Sequence, residues 1–211
     1  MTVSIALTKG RLEKKVVDLL ASCGYGVEPL VNKGRELIFI DTKKDIRYFL
    51  VKAHDCLTYV NHGVADIGIV GKDTIMEYGG SFYEMLDLHC GICKFVLAGT
   101  KEHNPSEMNG HIRIGSKYPN VTKRYFAKMG KDVEIIRIEG SVELSPLVGL
   151  TEGIVDIMET GTTLKENGLV VYDEVAPVSA RAIVNPAGYK LKNKEVMAVL
   201  DDLEKAVKKA C

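Results

Sequence analysis

A turn rich in threonine is the stretch of this sequence best suited to bind a ligand. The turn consists of Thr160, Gly161, Thr162, Thr163 and Leu164. The apolar run before Gly161 predicts a buried strand, and a helical pattern resumes at Leu164. Glycine permits a tight backbone turn, and free N–H groups and hydroxyls at a strand-to-helix turn can converge on one anion. The pattern therefore predicts a phosphate-binding strand end.

Two carboxylates directly precede this turn. Asp156 and Glu159 lie where they would repel a phosphate, so they indicate a ligand that also offers hydroxyls or a metal, as a ribose phosphate does. The alternative is a capped helix start that follows a solvated acidic strand end. Spacing alone leaves both interpretations open.

Basic residues follow or flank several predicted strands in the first part of the chain. Lys9 and Arg11 lie in a glycine-containing loop between a strand and a helix, where an anion can be held. Arg35 is predicted to begin one strand of a hairpin, and Lys52 follows the other strand. For Lys9 and Arg11, a solvated surface position is the alternative.

Two short patterns recur in the same order. Segment 63–71 and segment 153–161 share G-x-x-D-I-x-x-x-G, and segment 5–9 resembles segment 112–117 as a strand that runs into a lysine-bearing loop. These repeats predict two similar α/β lobes. Passages near 82–98 and 175–184 are expected to carry the chain between them. Because open α/β sheets bind ligands at the carboxyl ends of their strands, we expect a cleft between the lobes with one basic wall.

Composition narrows the class of protein. The 211 residues include 28 basic and 28 acidic side chains, so the balance of charge does not favour a nucleic-acid or membrane partner. The N-terminal segment lacks a signal-peptide pattern, which predicts a cytoplasmic protein. The five cysteines include Cys90 and Cys93, but no second cluster completes a zinc site. We interpret these cysteines as reduced structural residues.

Several blocks together resemble one family. The blocks are Leu7–Leu12, Asp66–Asp73, Lys117–Asn120, Gly140–Pro146 and Asp156–Gly168. In this order they are similar to ATP phosphoribosyltransferase, the first enzyme of histidine biosynthesis. The resemblance implies an α/β fold of two periplasmic-binding-protein-like (type II) lobes, with two crossover segments and an active-site cleft between the lobes. Lobe I would comprise residues 1–92 plus 181–211, and lobe II residues 93–180.

The resemblance also implies a reaction and a set of site residues. The family joins N1 of the adenine of ATP to C1 of the ribose of phosphoribosyl pyrophosphate (PRPP) and releases pyrophosphate, with Mg²⁺ carried by the substrates rather than by protein ligands. The turn at 160–164 would hold the ribose 5-phosphate in lobe II. Asp156, Glu143 and Glu159 would serve the ribose hydroxyls or the metal shell. The residues expected at the ATP and pyrophosphate side are Lys9, Arg11, Arg35, Lys52 and Asp73, with Lys9, Arg35 and Lys52 as the catalytic cations.

The same resemblance implies partners. Because the chain ends at Cys211 without the C-terminal regulatory domain of the long form, it resembles the short form. That form works with a separate regulatory subunit related to the histidyl-tRNA synthetase core, and a dimer of catalytic chains is expected. In three places the chain departs from the family pattern, since Lys52 replaces a frequent arginine, Leu57 a common proline, and Gly115–Lys117 a more usual alanine-threonine-lysine. Lys52 keeps the charge but loses bidentate geometry.

Three other classes compete with this interpretation. A two-lobed binding module without catalysis would share the architecture but would not need cations opposed to carboxylates. A nucleobase phosphoribosyltransferase of the widespread type has a similar acidic and threonine-rich loop, but in a single-lobed fold without the repeat. A P-loop ATPase is excluded because the sequence contains no G-x-x-x-x-G-K-[ST] motif.

Overall fold

Two mixed sheets organise the chain, which the computed structural model describes from residue 1 to residue 210. In that range the strands are β1 (Val3–Thr8), β2 (Ile38–Asp41), β3 (Ile46–Val51), β4 (Ile67–Gly71), β5 (Tyr83–Asp87), β6 (Cys93–Gly99), β7 (Arg113–Ser116), β8 (Glu134–Arg137), β9 (Gly153–Met158), β10 (Val170–Val178) and β11 (Ala180–Val184). The helices are α1 (Glu13–Ser22), α2 (Glu28–Val31), α3 (Ala53–Asn61), α4 (Lys72–Tyr78), α5 (Pro119–Lys128), α6 (Leu144–Leu147), α7 (Thr162–Glu166), α8 (Pro186–Leu191) and α9 (Asn193–Ala210).

The chain divides into two compact units. Unit 1 contains residues 1–91 and the chain from Ser179 onward, and unit 2 contains Ile92–Val178. The changeovers thus follow Gly91 and Val178, within two residues of the lobe boundaries expected from the sequence. The substrate roles assigned to the lobes stay a prediction.

Unit 1 is built on a six-stranded sheet in the order β2-β3-β1-β4-β11-β5. β1 pairs in parallel with β3 and with β4, while β11 is antiparallel to both of its neighbours. All six residues of β1 are buried, as expected for a strand covered on both faces. Apolar side chains of α1 and α9 pack on one face, and those of α3 and α4 pack on the other. This arrangement fixes the carboxyl ends of β1, β3 and β4 at one edge.

Unit 2 is built on a five-stranded sheet in the order β10-β6-β9-β7-β8. β7 pairs in parallel with β8 and with β9, and β6 runs antiparallel to β9 and β10. β9 therefore lies at the centre of the sheet, and the threonine turn follows its carboxyl end. Two mixed α/β sheets agree with the predicted two-lobed fold class.

The predicted start of β2 was wrong, and the predicted crossing near 175–184 contains strand residues. β2 begins at Ile38 and not at Arg35, because the ladder with β3 starts at Ile38 and residues 32–37 are exposed. Arg35 therefore lies in the loop before the strand. The chain returns from unit 2 to unit 1 after Val178, inside the predicted crossing 175–184, and the residues of that crossing form the end of β10 and the whole of β11. Pro177 is tolerated in β10 because that strand forms an edge of its sheet and its proline need not donate to a further strand.

The sequence pattern predicts helices near 12–20, 55–62, 121–129 and 193–210, and α1, α3, α5 and α9 confirm these predictions. α9 buries Val196, Val199, Leu203 and their apolar neighbours against the unit 1 core, as its periodicity predicted. The sequence pattern did not predict α2, α4 or α8. It predicts a helix that follows the polar turn at 139–146 and runs through Leu150, whereas α6 ends at Leu147. No helix in the described range is long and apolar enough to span a membrane.

Candidate functional site

The carboxyl end of β9 opens into a cavity of about 220 Å³ within unit 2. The residues that line it are Val96, Glu143, Ile154, Asp156, Ile157, Met158, Glu159, Thr160, Gly161, Thr162, Thr163 and Leu164. Every unit 2 residue that the sequence interpretation placed in the site is therefore found in one cavity. The two carboxylates and the threonine turn adjoin each other there, as their spacing predicted.

The backbone conformation of the threonine turn depends on Gly161. Its φ of +77° lies in the left-handed region, which a residue with a Cβ adopts only at a cost in free energy. The hydroxyls of Thr160 and Thr162 lie 3.0 Å apart, and both residues are exposed. α7 begins directly after Gly161. The turn thus presents a group of hydroxyls to the cavity.

Asp156 is the most perturbed acid of the cavity. Burial raises the pKa of Asp156 to about 6, and the negative charge of Glu143 adds to that rise. A hydrogen bond from the backbone of Ile157 and the positive charge of Lys117 act in the opposite direction and lower the pKa. A carboxylate that remains partly buried beside an open cavity is a candidate for binding ligand hydroxyls.

Glu143 and Leu164 show how the neighbouring elements shape the cavity. Glu143 directly precedes α6, whose start is held by the buried Ser145 hydroxyl, 2.8 Å from the hydroxyl of Thr151. Leu164 lies in α7 and packs against a small apolar cluster that includes Ile154. The short helices α6 and α7, which precede and follow β9 in the chain, thus place a carboxylate and an apolar side chain at the cavity.

Three predicted residues of unit 1 lie at the carboxyl edge of its sheet. Lys9 follows β1, and Lys52 follows β3, which pairs with β1 in parallel up to the last residue of each strand. The backbone N–H of Lys9 donates to the carbonyl of Val51 at 2.8 Å, so the two lysines leave the sheet side by side. Asp73 lies in the first turn of α4, directly after β4. Both lysine side chains are exposed.

Arg11 and Arg35 occupy less regular positions. Arg11 donates from Nη1 to the carbonyl of Gly91 at 2.9 Å. Arg35 is exposed in the loop before β2, so its position is set by a loop and not by a strand. The sequence interpretation did not include Lys117 among the site residues, although its charge reaches Asp156. The repeated strand-to-lysine pattern, which pairs Lys117 with Lys9, was the available signal.

Among residues 1–210, no group of three or more His, Cys, Asp or Glu side chains is arranged to hold a metal ion. Glu143, Asp156 and Glu159 nevertheless supply oxygen atoms, the ligand type that Mg²⁺ prefers. The cavity thus offers carboxylate oxygens to a ligand, while the described residues form no metal site of their own.

The fold and the cavity together define a class. Two α/β units, one with a hydroxyl-rich turn beside carboxylates and the other with lysines at a strand edge, are suited to small phosphorylated ligands. The aliphatic sulphonate binding protein SsuA from Escherichia coli has a similar fold, with a TM-score of 0.62, 13% identity and coverage of 98% of this chain and 68% of that protein. At that identity the likeness concerns the fold alone.

Comparison at higher identity gives the family. The model of the HisG family, described as ATP phosphoribosyltransferase, matches residues 52–205. A protein of Clostridium kluyveri named ATP phosphoribosyltransferase is 52% identical over 98% of this chain and 97% of its own length. One of Listeria monocytogenes is 52% identical over 98% and 96%. The structure of the ATP phosphoribosyl transferase (HisG:HisZ) complex from Thermotoga maritima contains a similar chain, with a TM-score of 0.84, 37% identity and coverage of 98% and 99%.

This chain belongs to the ATP phosphoribosyltransferase family. It is thus an enzyme of histidine biosynthesis that transfers a pentosyl group. None of these comparisons supports the alternative of a two-lobed binding module without catalysis.

Proposed function

We propose that the unit 2 cavity holds PRPP and that the basic edge of unit 1 holds the phosphates of ATP and of the departing pyrophosphate. The observation that carries this proposal is the single cavity in which Asp156 adjoins the hydroxyl-rich turn Thr160–Thr163. A ribose 5-phosphate presents a phosphate and a pair of ring hydroxyls. The turn is suited to the first and the carboxylate to the second.

The reaction needs no covalent protein nucleophile. The lone pair of adenine N1 attacks C1 of the ribose, the C1–O bond to pyrophosphate breaks, and the electron pair leaves with pyrophosphate. The configuration at C1 is inverted. Negative charge grows on the leaving group while positive charge grows on the ribose, so cations near one and carboxylates near the other stabilise the transition state. Binding both substrates with adenine N1, ribose C1 and the leaving oxygen in line lowers the entropic part of the activation barrier.

The roles of individual residues follow from their charge and position. Lys9, Lys52 and Arg35 are assigned to the developing charge of pyrophosphate, and Arg11 and Asp73 to the ATP side. Glu143, Asp156 and Glu159 are assigned to the ribose hydroxyls and to water molecules around Mg²⁺. When bound to the substrates, Mg²⁺ neutralises phosphate charge. The exposed lysines after β1 and β3 and the carboxylates of the cavity support these assignments.

A direct assay tests the function. Purified chain is mixed with ATP, PRPP and Mg²⁺, and pyrophosphate release is followed together with the absorbance change of N1-substituted adenine. Omission of ATP is expected to abolish both signals. Thr162→Val is expected to raise KM for PRPP about tenfold, because it removes one hydrogen bond to a charged phosphate. The matched control Thr42→Val, in the exposed hairpin turn of unit 1, is expected to leave it unchanged.

We also propose that the chain acts as the short form, with a separate regulatory subunit that resembles the histidyl-tRNA synthetase core. Support comes from the Thermotoga maritima chain, which was solved as a HisG:HisZ complex. The isolated chain should then be active and insensitive to histidine. Strong inhibition of the isolated chain by histidine would contradict the assignment.

The remaining assignments concern assembly and location. We propose a dimer of catalytic chains, which sedimentation of the purified chain tests. A cytoplasmic location agrees with a biosynthetic role, and the even balance of 28 basic and 28 acidic residues agrees with small-molecule partners.

A further inference from the structure

Lys117 lies directly beside the acidic part of the unit 2 cavity. It follows β7, which pairs in parallel with β9. The buried Ser116 hydroxyl donates to the carbonyl of Val155 at 2.6 Å and accepts from the backbone N–H of Tyr118 at 2.9 Å. These bonds fasten the backbone on both sides of Lys117 to the strand residue that precedes Asp156. The side chain of Lys117 itself is exposed.

The cavity has an excess of negative charge. Its lining includes Glu143, Asp156 and Glu159, and among the described residues that line it none is basic. The charged groups on the strands, turns and helices that adjoin Asp156 include Glu143, Lys117, Glu159, Lys165 and Glu166, together with Lys94, which pairs with Glu174, and Arg113, which pairs with Glu152. Lys117 is the cation among them whose charge acts on Asp156, while Glu143 acts in the opposite sense. A ligand phosphate would add further negative charge.

We propose that Lys117 is a positioning residue for the pentose phosphate, because its ammonium offsets the carboxylates of the cavity and holds Asp156 ready to accept the ribose hydroxyls. This inference rests on the proposed function. It assigns a role to a residue that neither the threonine turn nor the basic edge of unit 1 includes.

The physical consequence is a change in the pH range of activity. Without the nearby positive charge, the carboxylate form of Asp156 is less favoured, so its pKa rises above about 6. Ligand binding that needs the carboxylate is then lost at a higher pH. A purely structural role of Lys117 would lower the amount of folded enzyme without moving the pH profile.

The test compares Lys117→Gln with Lys117→Arg, and Lys123→Gln on the exposed surface of α5 is the control. The measurement is kcat/KM for PRPP from pH 5 to 9, with KM for both substrates at pH 7.5. Lys117→Gln is expected to move the acidic limb upward by about half to one pH unit and to raise KM for PRPP about tenfold. KM for ATP should change less than about twofold. Lys117→Arg should keep the acidic limb of the pH profile at its wild-type position, and the profile of Lys123→Gln should match that of the wild type.

A second arm asks whether Lys117 acts through Asp156. In an Asp156→Asn background, Lys117→Gln should have little additional effect on the acidic limb, because no carboxylate is left to influence. An active Lys117→Gln enzyme with an unchanged limb and unchanged KM for PRPP would overturn the inference, as would loss of folding in both Lys117→Gln and Lys117→Met. If the wild-type chain forms no product from ATP and PRPP, the proposed function itself fails.

Discussion

The two units share one strand arrangement but use it differently. β1, β3, β4, β11 and β5 of unit 1 have the same neighbours and directions as β7, β8, β9, β6 and β10 of unit 2. In unit 1, β4 passes at Gly71 straight into α4, and lysines follow the neighbouring strands. In unit 2, three residues separate the end of β9 from α7, and they carry Thr160 and Gly161. The same edge thus presents lysines in unit 1 and, next to Lys117, the hydroxyls of the threonine turn in unit 2.

The repeated motif gives the more instructive contrast. By letter, Asp66 matches Asp156, but the strand pairing matches Asp66 with Glu152. Asp66 exchanges two hydrogen bonds with the backbone of Ser4 on β1, and Glu152 exchanges the same two with Arg113 on β7. Both acids also pair with a cation. The sequence repeat is therefore four residues out of structural register.

The difference separates a structural acid from a functional one. Asp66 is 5% exposed and fully engaged with Ser4 and Lys192, which lies 2.7 Å away. Asp156 borders a cavity, and burial opposes its ionisation by raising its pKa to about 6. An acidic side chain that lowers the stability of the folded protein is expected where it binds a ligand.

The largest expected effect is on activity at the unit 2 cavity. Asp156→Asn should lower kcat/KM for PRPP by about 10²- to 10³-fold, because the amide cannot offset positive charge on the ribose. Steady-state assays at pH 7.5 measure this loss. Asp132→Asn, on the exposed surface of the same unit, is the control. Full activity in Asp156→Asn would show that Asp156 is not a functional acid, and the contrast with the structural acid Asp66 would fail.

The pH dependence of activity and of stability should follow Asp156 in opposite ways. Activity needs the ionised form and should fall as the pH drops through about 6. Folding raises the pKa of Asp156 from 3.8 to about 6, so the folded protein favours the protonated carboxyl group. The contribution of this group to the free energy of unfolding is therefore fully present below about pH 4 and is lost as the pH rises through about 6. Asp156→Asn should therefore raise the free energy of unfolding by about 1 to 3 kcal/mol at pH 8 and by much less at pH 4. Urea denaturation at both pH values measures the difference.

At the basic edge of unit 1, loss of a cation should have the next largest effect. Arg35→Ala and Lys52→Ala should each lower kcat by about tenfold or more while the fold is retained, because charge on the departing pyrophosphate is less stabilised. Lys43→Ala is the matched control, since Lys43 lies beyond the opposite end of β2. Normal turnover in both variants would remove these two residues from the site.

Asp66 should behave as the opposite of Asp156. Asp66→Asn is expected to lower the free energy of unfolding by about 2 kcal/mol, because it leaves Lys192 without its partner and removes a charged acceptor of a buried N–H. Turnover per folded molecule should be unchanged. Thermal and urea unfolding measure the loss, with exposed Asp201→Asn as the control. A catalytic defect without a loss of stability would reverse the assignment of the two acids.

The smallest expected effect lies in the core of unit 1. The Tyr48 side chain is fully buried, and its hydroxyl has no hydrogen-bond partner among the described residues. Tyr48→Phe should therefore raise the free energy of unfolding by about 1 kcal/mol, since an unsatisfied polar group is removed. Denaturant titration measures the change. Destabilisation would mean that the hydroxyl has a partner, such as a buried water molecule.

Local sequence patterns were enough to predict part of the fold and part of the candidate site. The glycine and threonine turn after β9 and the amphipathic pattern of α9 depend on neighbouring residues, and both were predicted correctly. The position of Arg35 and the true register of the repeat depend on pairing between distant strands. Identity of letters carries no information about that pairing. The repeat marked Lys117 as a counterpart of Lys9, but its position next to Asp156 depends on the pairing of β7 with β9.

The most direct measurement is a crystal structure of this chain with PRPP and Mg²⁺. We expect the 5-phosphate at the Thr160–Thr163 turn and the ribose hydroxyls within hydrogen-bonding distance of Asp156. A 5-phosphate bound elsewhere, with the turn and Asp156 facing only solvent, would contradict this expectation.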